Sequence, residues 1–183
     1  QPLIACAFFG DGAMDEGAFW ETVNIAAVQQ VPVMFICEDN GYAVHTPVSA
    51  RQGFKDVTEI LEGFEIDVYK LDNDDPLSIY EIAAEASSVC RKTCRPAFLK
   101  VSCYRYLEHV GIAEDFSEGY RDKNEFNIWK SKDPVAVQRE RILNDGLSVQ
   151  KLESLEQNID LEIEEAVIAA KEAPEPSNNE ILK

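Results

Sequence analysis

An aspartate set between two glycines, Gly10-Asp11-Gly12, and an asparagine 29 positions later, in Glu38-Asp39-Asn40-Gly41-Tyr42, offer two hard oxygen ligands. Mg²⁺ takes about six oxygens at roughly 2.1 Å and seldom draws them all from protein, so an Asp and an Asn completed by phosphate and water are a sufficient share. The glycines beside Asp11 leave the backbone bare, which lets a diphosphate come close. Each residue has a plainer reading as well. Asp11 suits a loop acid between glycines, and Asn40 suits a left-handed turn ahead of Gly41.

These residues need elements to position them. The runs Phe8-Phe9 and Val33-Met34-Phe35-Ile36-Cys37 read as buried parallel strands. Both motifs then lie just past carboxyl ends of strands, where open α/β sheets bind ligands. The first strand is expected over residues 3–9. A helix follows over 16–30 with Asp15 as its N-cap, its apolar positions Phe19, Val23, Ala26 and Ala27 recurring at helical spacing. After the second strand come a loop over 41–53, a short helix over 54–62 and a strand over 65–71. Asp74-Asp75-Pro76 opens a helix reaching Lys92, and a strand is expected over 96–104. This alternation predicts an α/β fold: a doubly wound parallel sheet flanked by helices.

Residues 107–132 show little periodicity and read as a long loop with short turns, a kind of segment that in compact domains usually serves function. Asp133-Pro134 opens a helix to Asn144, and Ser148 caps a long one to Lys171. Leu152, Leu155, Ile159, Ile163, Val167 and Ala170 form its apolar stripe. A polar tail is expected over 174–183. Residues 1–147 are read as one binding domain, and 148–183 as its amphipathic C-terminal helix and tail.

The stretch GDGAMDEGAFWETVNIAAVQQVPVMFICEDNGYAVHTP resembles the diphosphate-binding domain of thiamine-diphosphate enzymes. It is most similar to the alpha subunit of the 2-oxoacid dehydrogenase first component, of the pyruvate, branched-chain and acetoin types. A second block, Ser102-Cys103-Tyr104-Arg105-Tyr106 with His109, resembles that subunit's later cofactor-facing loop. The resemblance covers roughly residues 1–145. It implies C-terminal helices after a partial thiamine-diphosphate-binding fold, because the chain opens directly on a strand where the family has an upstream segment with further cofactor contacts.

The resemblance also implies roles. Asp11, Asn40 and the backbone carbonyl of Tyr42 would ligate Mg²⁺, and Gly12 and Ala13 would touch the diphosphate. His109 matches a histidine near the diphosphate and the reaction channel, so it is expected to bind cofactor and to act in catalysis. Its neighbours depart from the commonest family form: Leu107-Glu108 stand where many relatives carry His-Gly, and Val110 replaces a phosphorylatable Ser. Asp39 stands where the family often has a first Asn. His45 and Arg105 are lesser candidates for contact with substrate. The implied reaction is decarboxylation of a 2-oxoacid with thiamine diphosphate as electron sink. No residue matches the family's pyrimidine-activating glutamate. A beta-type subunit is expected to supply that half-site in a dimer or heterotetramer, and the chain alone is expected to be inactive. The alternatives are a transketolase-like ketol transferase subunit, or a non-catalytic cofactor-binding or assembly remnant.

Composition narrows the partners. The formal net charge is −17, with 34 Asp and Glu against 17 Lys and Arg, and both signs are spread along the chain. Without a basic patch, nucleic acid and anionic membrane surfaces are not expected partners. The five cysteines contain no CxxC, and Cys90 and Cys94 lie far in sequence from the two histidines. They read as reduced thiols of a cytoplasmic protein rather than a metal site.

Overall fold

Six short strands and six helices emerge from this pattern in a computed structural model, which describes residues 3–177. In chain order they are β1 (Ala5–Gly10), α1 (Gly17–Gln29), β2 (Val33–Asp39), β3 (Tyr42–Ala43), β4 (Thr46–Pro47), α2 (Val57–Leu61), β5 (Asp67–Leu71), α3 (Pro76–Thr93), β6 (Ala97–Ser102), α4 (Lys123–Lys130), α5 (Pro134–Asn144) and α6 (Val149–Glu172). The chain divides into two compact units, one ending at Pro134 and the other beginning at Val135. None of the described helices is long and apolar enough to cross a membrane. The tail expected over 174–183 lies, from residue 178, outside the described residues.

In the first unit, β1, β2, β6 and β5 form one parallel sheet in that order, and β3 pairs with β4 in a small antiparallel hairpin. Alternating side chains divide the sheet into two faces. Phe35, Cys37 and Phe98 point to the face where α1 and α2 bury Phe19, Val23, Ala26, Val57 and Leu61. Met34 and Ala97 point to the opposite face, against Ala86 and Cys90 of α3. Helices on both faces make the sheet doubly wound, as the sequence pattern predicts. The β1 edge is more open, and Phe8 is 66% exposed.

Local chemistry explains most boundaries. Asp75 caps α3 by accepting the Ser78 N–H at 3.0 Å, with Pro76 in the first turn. Asp56 caps α2 through the Thr58 N–H, also at 3.0 Å. The cap expected at Asp15 does not form. Residues Asp11–Asp15 close a 3₁₀ turn, and Glu16 takes the N-cap position without a side-chain bond. Asp15 is drawn away because its carboxylate pairs with Arg51 and Gln52.

The stretch expected as loop over 107–132 contains α4. Asp122 caps this helix by accepting the Asn124 N–H at 2.8 Å. An aromatic cluster holds it: Tyr104 stacks on Trp129 at 5.6 Å, and Phe126 meets Tyr106 and Phe116 edge-on. In the second unit, Arg139 of α5 pairs with Glu156 of α6 at 3.0 Å. Of the α6 stripe only Leu152 is buried; Leu155, Ile159, Ile163 and Val167 are exposed.

Candidate functional site

Parallel pairing of β1 with β2 matches Gly10 to Glu38. Asp11 therefore leaves the sheet one residue past that pair, and Asn40 two residues past it on the neighbouring strand. Both stand at the carboxyl edge. The Asp39 carbonyl accepts the Cys103 N–H at 2.9 Å, which ties the end of β2 to the segment after β6. The three stretches that carry the sequence candidates thus meet at one rim of the sheet.

Asp11 is 1% exposed. One of its oxygens takes a short hydrogen bond from the Arg51 guanidinium, while the other, Oδ1, is buried and accepts no hydrogen bond among the described residues. Arg51 also pairs with Asp15, and its Nε donates to the Thr46 carbonyl at 3.1 Å. Burial works against the Arg51 charge, and hydrogen bonds to Asp15 and Asp11 outweigh it, so the guanidinium is held charged more firmly than usual.

Gly12 lies hard against the hairpin: a Cβ there would sit 2.8 Å from the Ala43 Cβ. Ala13 is exposed, and its carbonyl accepts the Glu16 N–H at 3.3 Å. A groove of about 390 Å³ runs from Ala7, Phe8 and Phe9 to Ala13 and Glu16.

Asn40 shapes the following turn. Its Oδ1 accepts the Tyr42 N–H at 3.1 Å, and the Asp39 Oδ1 accepts the Gly41 N–H at 3.1 Å. Gly41 has φ +80°, the left-handed region where a side chain is strained. Its carbonyl accepts the Val48 N–H at 2.9 Å, closing the hairpin base. Two thiols lie under this rim. Burial, with Asp39 and Asp11 adding, pushes Cys37 well up. Burial, with Glu38 and Asp39 adding, pushes Cys103 up to about 12.

Residues the sequence reading passed over bind the later loop to the hairpin. Asp115 and Arg121, 4% and 7% exposed, form a buried ion pair. The Tyr120 hydroxyl donates to Asp115 and accepts from Arg105 Nη2, the latter at 2.6 Å. The Tyr120 ring stacks on His45 at 4.5 Å and meets Tyr42 edge-on at 5.4 Å. Arg105 Nη2 also donates to the Val44 carbonyl at 2.9 Å. His45 and Arg105 are thus built into the loop scaffold. His109 is exposed and makes no hydrogen bond, ion pair or ring contact to another described residue. The sequence signal for this network was faint: an acid, a Tyr-Arg pair and scattered aromatics within a stretch that has no period.

Among the described residues no group of three or more His, Cys, Asp or Glu side chains could hold a metal ion.

The family model for the dehydrogenase E1 component matches residues 1–179. The chain belongs to the dehydrogenase E1 component family. Three relatives of this E1 chain illustrate the match. The pyruvate dehydrogenase E1 component subunit alpha of Rickettsia felis is 31% identical over 179 residues, covering 97% of this chain and 54% of that protein. The testis-specific mitochondrial form of the same subunit from Rattus norvegicus is 32% identical over 175 residues, covering 94% and 44%. The alpha subunit of acetoin:2,6-dichlorophenolindophenol oxidoreductase from Bacillus subtilis is 29% identical over 180 residues, covering 98% and 53%. This E1 chain spans about half the length of the curated relatives it matches. The family expected from the motifs around Asp11 and Asn40 is the family found.

Proposed function

We propose that this chain is the alpha-type portion of a thiamine-diphosphate-dependent 2-oxoacid dehydrogenase and grips the Mg²⁺ and diphosphate end of the cofactor. The observation that carries this reading is Asp11. It is a buried carboxylate with one oxygen unbonded, on a bare glycine turn at the carboxyl edge of a parallel sheet. The residues fit the group. A buried anionic oxygen without a donor suits a hard cation, since buried polar atoms ordinarily find partners.

In this reading the Asp11 and Asn40 side chains and the Tyr42 carbonyl hold Mg²⁺, and the backbone at Gly12 and Ala13 meets the diphosphate. Thiamine diphosphate, when bound, supplies the electron sink that a 2-oxoacid needs to lose CO₂. The hairpin and the Asp115–Arg121 loop orient what binds at the rim and keep water from its flank. His109, on that loop, assists proton or charge movement near the diphosphate and substrate. A beta-type subunit supplies the groups facing the pyrimidine, within a hetero-oligomer. On the reduced-thiol reading of the five cysteines, we place the protein in the cytoplasm.

The test is CO₂ release from a panel of 2-oxoacids by the full-length protein with its beta-type partner, thiamine diphosphate and Mg²⁺. Turnover is expected with the partner and not without it. Asp11→Ala should lose cofactor binding by calorimetry. His109→Ala should keep binding and lose turnover. Robust turnover by this chain alone, or unchanged cofactor affinity in Asp11→Ala, would sink the reading.

A further inference from the structure

A buried carboxylate needs compensation, because burial penalises its charged form. At Asp11 the compensation is already present. Arg51 bonds one of its oxygens with one arm and Asp15 with the other, while Nε is held by the Thr46 carbonyl. The guanidinium has the charge sign of the ion proposed for this position and sits on the residue proposed to ligate it. The neighbouring Oδ1 is buried without a partner, so the carboxylate is only half satisfied. A guanidinium and a divalent cation repel strongly when they share one carboxylate.

We infer that Arg51 is the resident counter-cation of the metal position, neutralising Asp11 until Mg²⁺ enters, then releasing it and turning to the diphosphate. The inference rests on Asp11 being a Mg²⁺ ligand. Two observations and one general preference support the exchange. Arg51 Nη1 lies 4.0 Å from where a Gly12 Cβ would be, so the guanidinium already hangs over the backbone proposed to meet the diphosphate. Guanidinium is suited to phosphate, which it grips through paired N–H donors. Asp15 does not lose its last partner when Arg51 leaves, because Gln52 Nε2 donates to its other oxygen at 3.0 Å.

Binding of Mg²⁺ and of diphosphate is then coupled through one side chain. Mg²⁺ alone must displace Arg51 at a cost. Mg²⁺ with diphosphate gives Arg51 a new anion. The experiment is calorimetry on the full-length protein in its assembly, titrating Mg²⁺ alone and then thiamine diphosphate at saturating Mg²⁺. In Arg51→Gln, Mg²⁺ alone should bind about tenfold tighter and thiamine diphosphate about tenfold weaker, within the ~5–150-fold range of such couplings. Arg51→Lys, which keeps the charge, should leave Mg²⁺ binding weak. Melting gives a second readout: Mg²⁺ alone should raise the Tm of Arg51→Gln more than that of the wild type. If Arg51→Gln does not fold, Arg51→Met, which removes the same charge and keeps an unbranched stem, should tighten Mg²⁺ binding to a similar extent.

Mg²⁺ affinity unchanged or weaker in the variant that removes the Arg51 charge, with wild-type binding intact, overturns the exchange and spares the functional reading. Wild-type protein that binds neither Mg²⁺ nor thiamine diphosphate overturns both.

Discussion

Lys100 Nζ lies 2.9 Å from Asp39 Oδ2, linking the third strand of the sheet order to the turn that carries Asn40. The other oxygen of that carboxylate accepts the Gly41 N–H, so one ion pair sets both the direction of Asp39 and the shape of the turn. Lys100 supplies the positive charge that balances the Asp39 carboxylate. Groups that orient metal ligands from behind typically matter ~10–100-fold for metal affinity. Lys100→Met is expected to weaken Mg²⁺-dependent cofactor binding by about that range while the fold survives. Lys100→Arg should restore most of it. Calorimetric titration of the two variants distinguishes orientation from a general loss of charge.

The contact between Gly12 and Ala43 makes a steric prediction. Gly12→Ala places a methyl 2.8 Å from the Ala43 Cβ, and overpacking of this kind costs about 1–3 kcal/mol. The double variant Gly12→Ala/Ala43→Gly should recover stability in urea denaturation. No recovery would mean that the Gly12 backbone itself, rather than the clash, sets the requirement.

At the later loop, Asp115 and Arg121 compensate each other out of water. Removing Arg121 leaves the buried Asp115 with the Tyr120 hydroxyl and Arg105 Nη2 at 3.7 Å as its remaining partners, so the cost should approach the ~3–5 kcal/mol of a broken buried pair. Arg121→Met should therefore destabilise far more than Lys130→Met, whose pair with Asp133 is exposed on the Lys130 side. Chemical denaturation of the two variants side by side is the check. Similar midpoints would show that the Asp115–Arg121 pair contributes little.

Acid sensitivity follows from Asp56. Burial tends to raise its carboxyl, but the Thr58 backbone N–H and Lys70 outweigh that and hold it at about 2. The folded value lies below the unfolded one of ~3.9. The group therefore contributes stability above the unfolded value, and the contribution is lost as pH falls through the folded one. Stability should decline between about pH 4 and pH 2 through this group. Asp56→Asn should flatten that part of the profile in a pH series of thermal melts, at the expense of some stability at pH 7.

Much of the architecture was legible because it rests on local signals. Strand runs ahead of Asp11 and Asn40, the Asp75-Pro76 start of α3 and the Ser148 cap of α6 are each set by a few neighbouring residues. Relations across the chain were less so. Nothing near Asp15 announces that Arg51, 36 residues on, will take its carboxylate and leave α1 without an aspartate cap. The helix α4 escaped notice because its eight residues are too few to establish a period. It forms through aromatic contacts of Phe126 and Trp129 with Tyr104, Tyr106 and Phe116. At the candidate site, the residue types of Asp11 and Asn40 were readable. The Asp115–Tyr120–Arg121 network was not, since buried and solvated charges look alike in a sequence.

The chain's two tryptophans fall in different neighbourhoods. Trp20 packs on the core beneath the Asp11 turn and donates its indole N–H to the Met14 carbonyl at 3.0 Å. Trp129 stacks on Tyr104 in the later loop, with Lys132 Nζ 3.7 Å above its ring. Replacing either one by Phe and subtracting isolates its own contribution to the emission, so these residues carry two separable optical gauges. One senses the rim at the Asp11 turn and the other senses the loop. Stopped-flow mixing with cofactor can then time the two regions independently, without any added label.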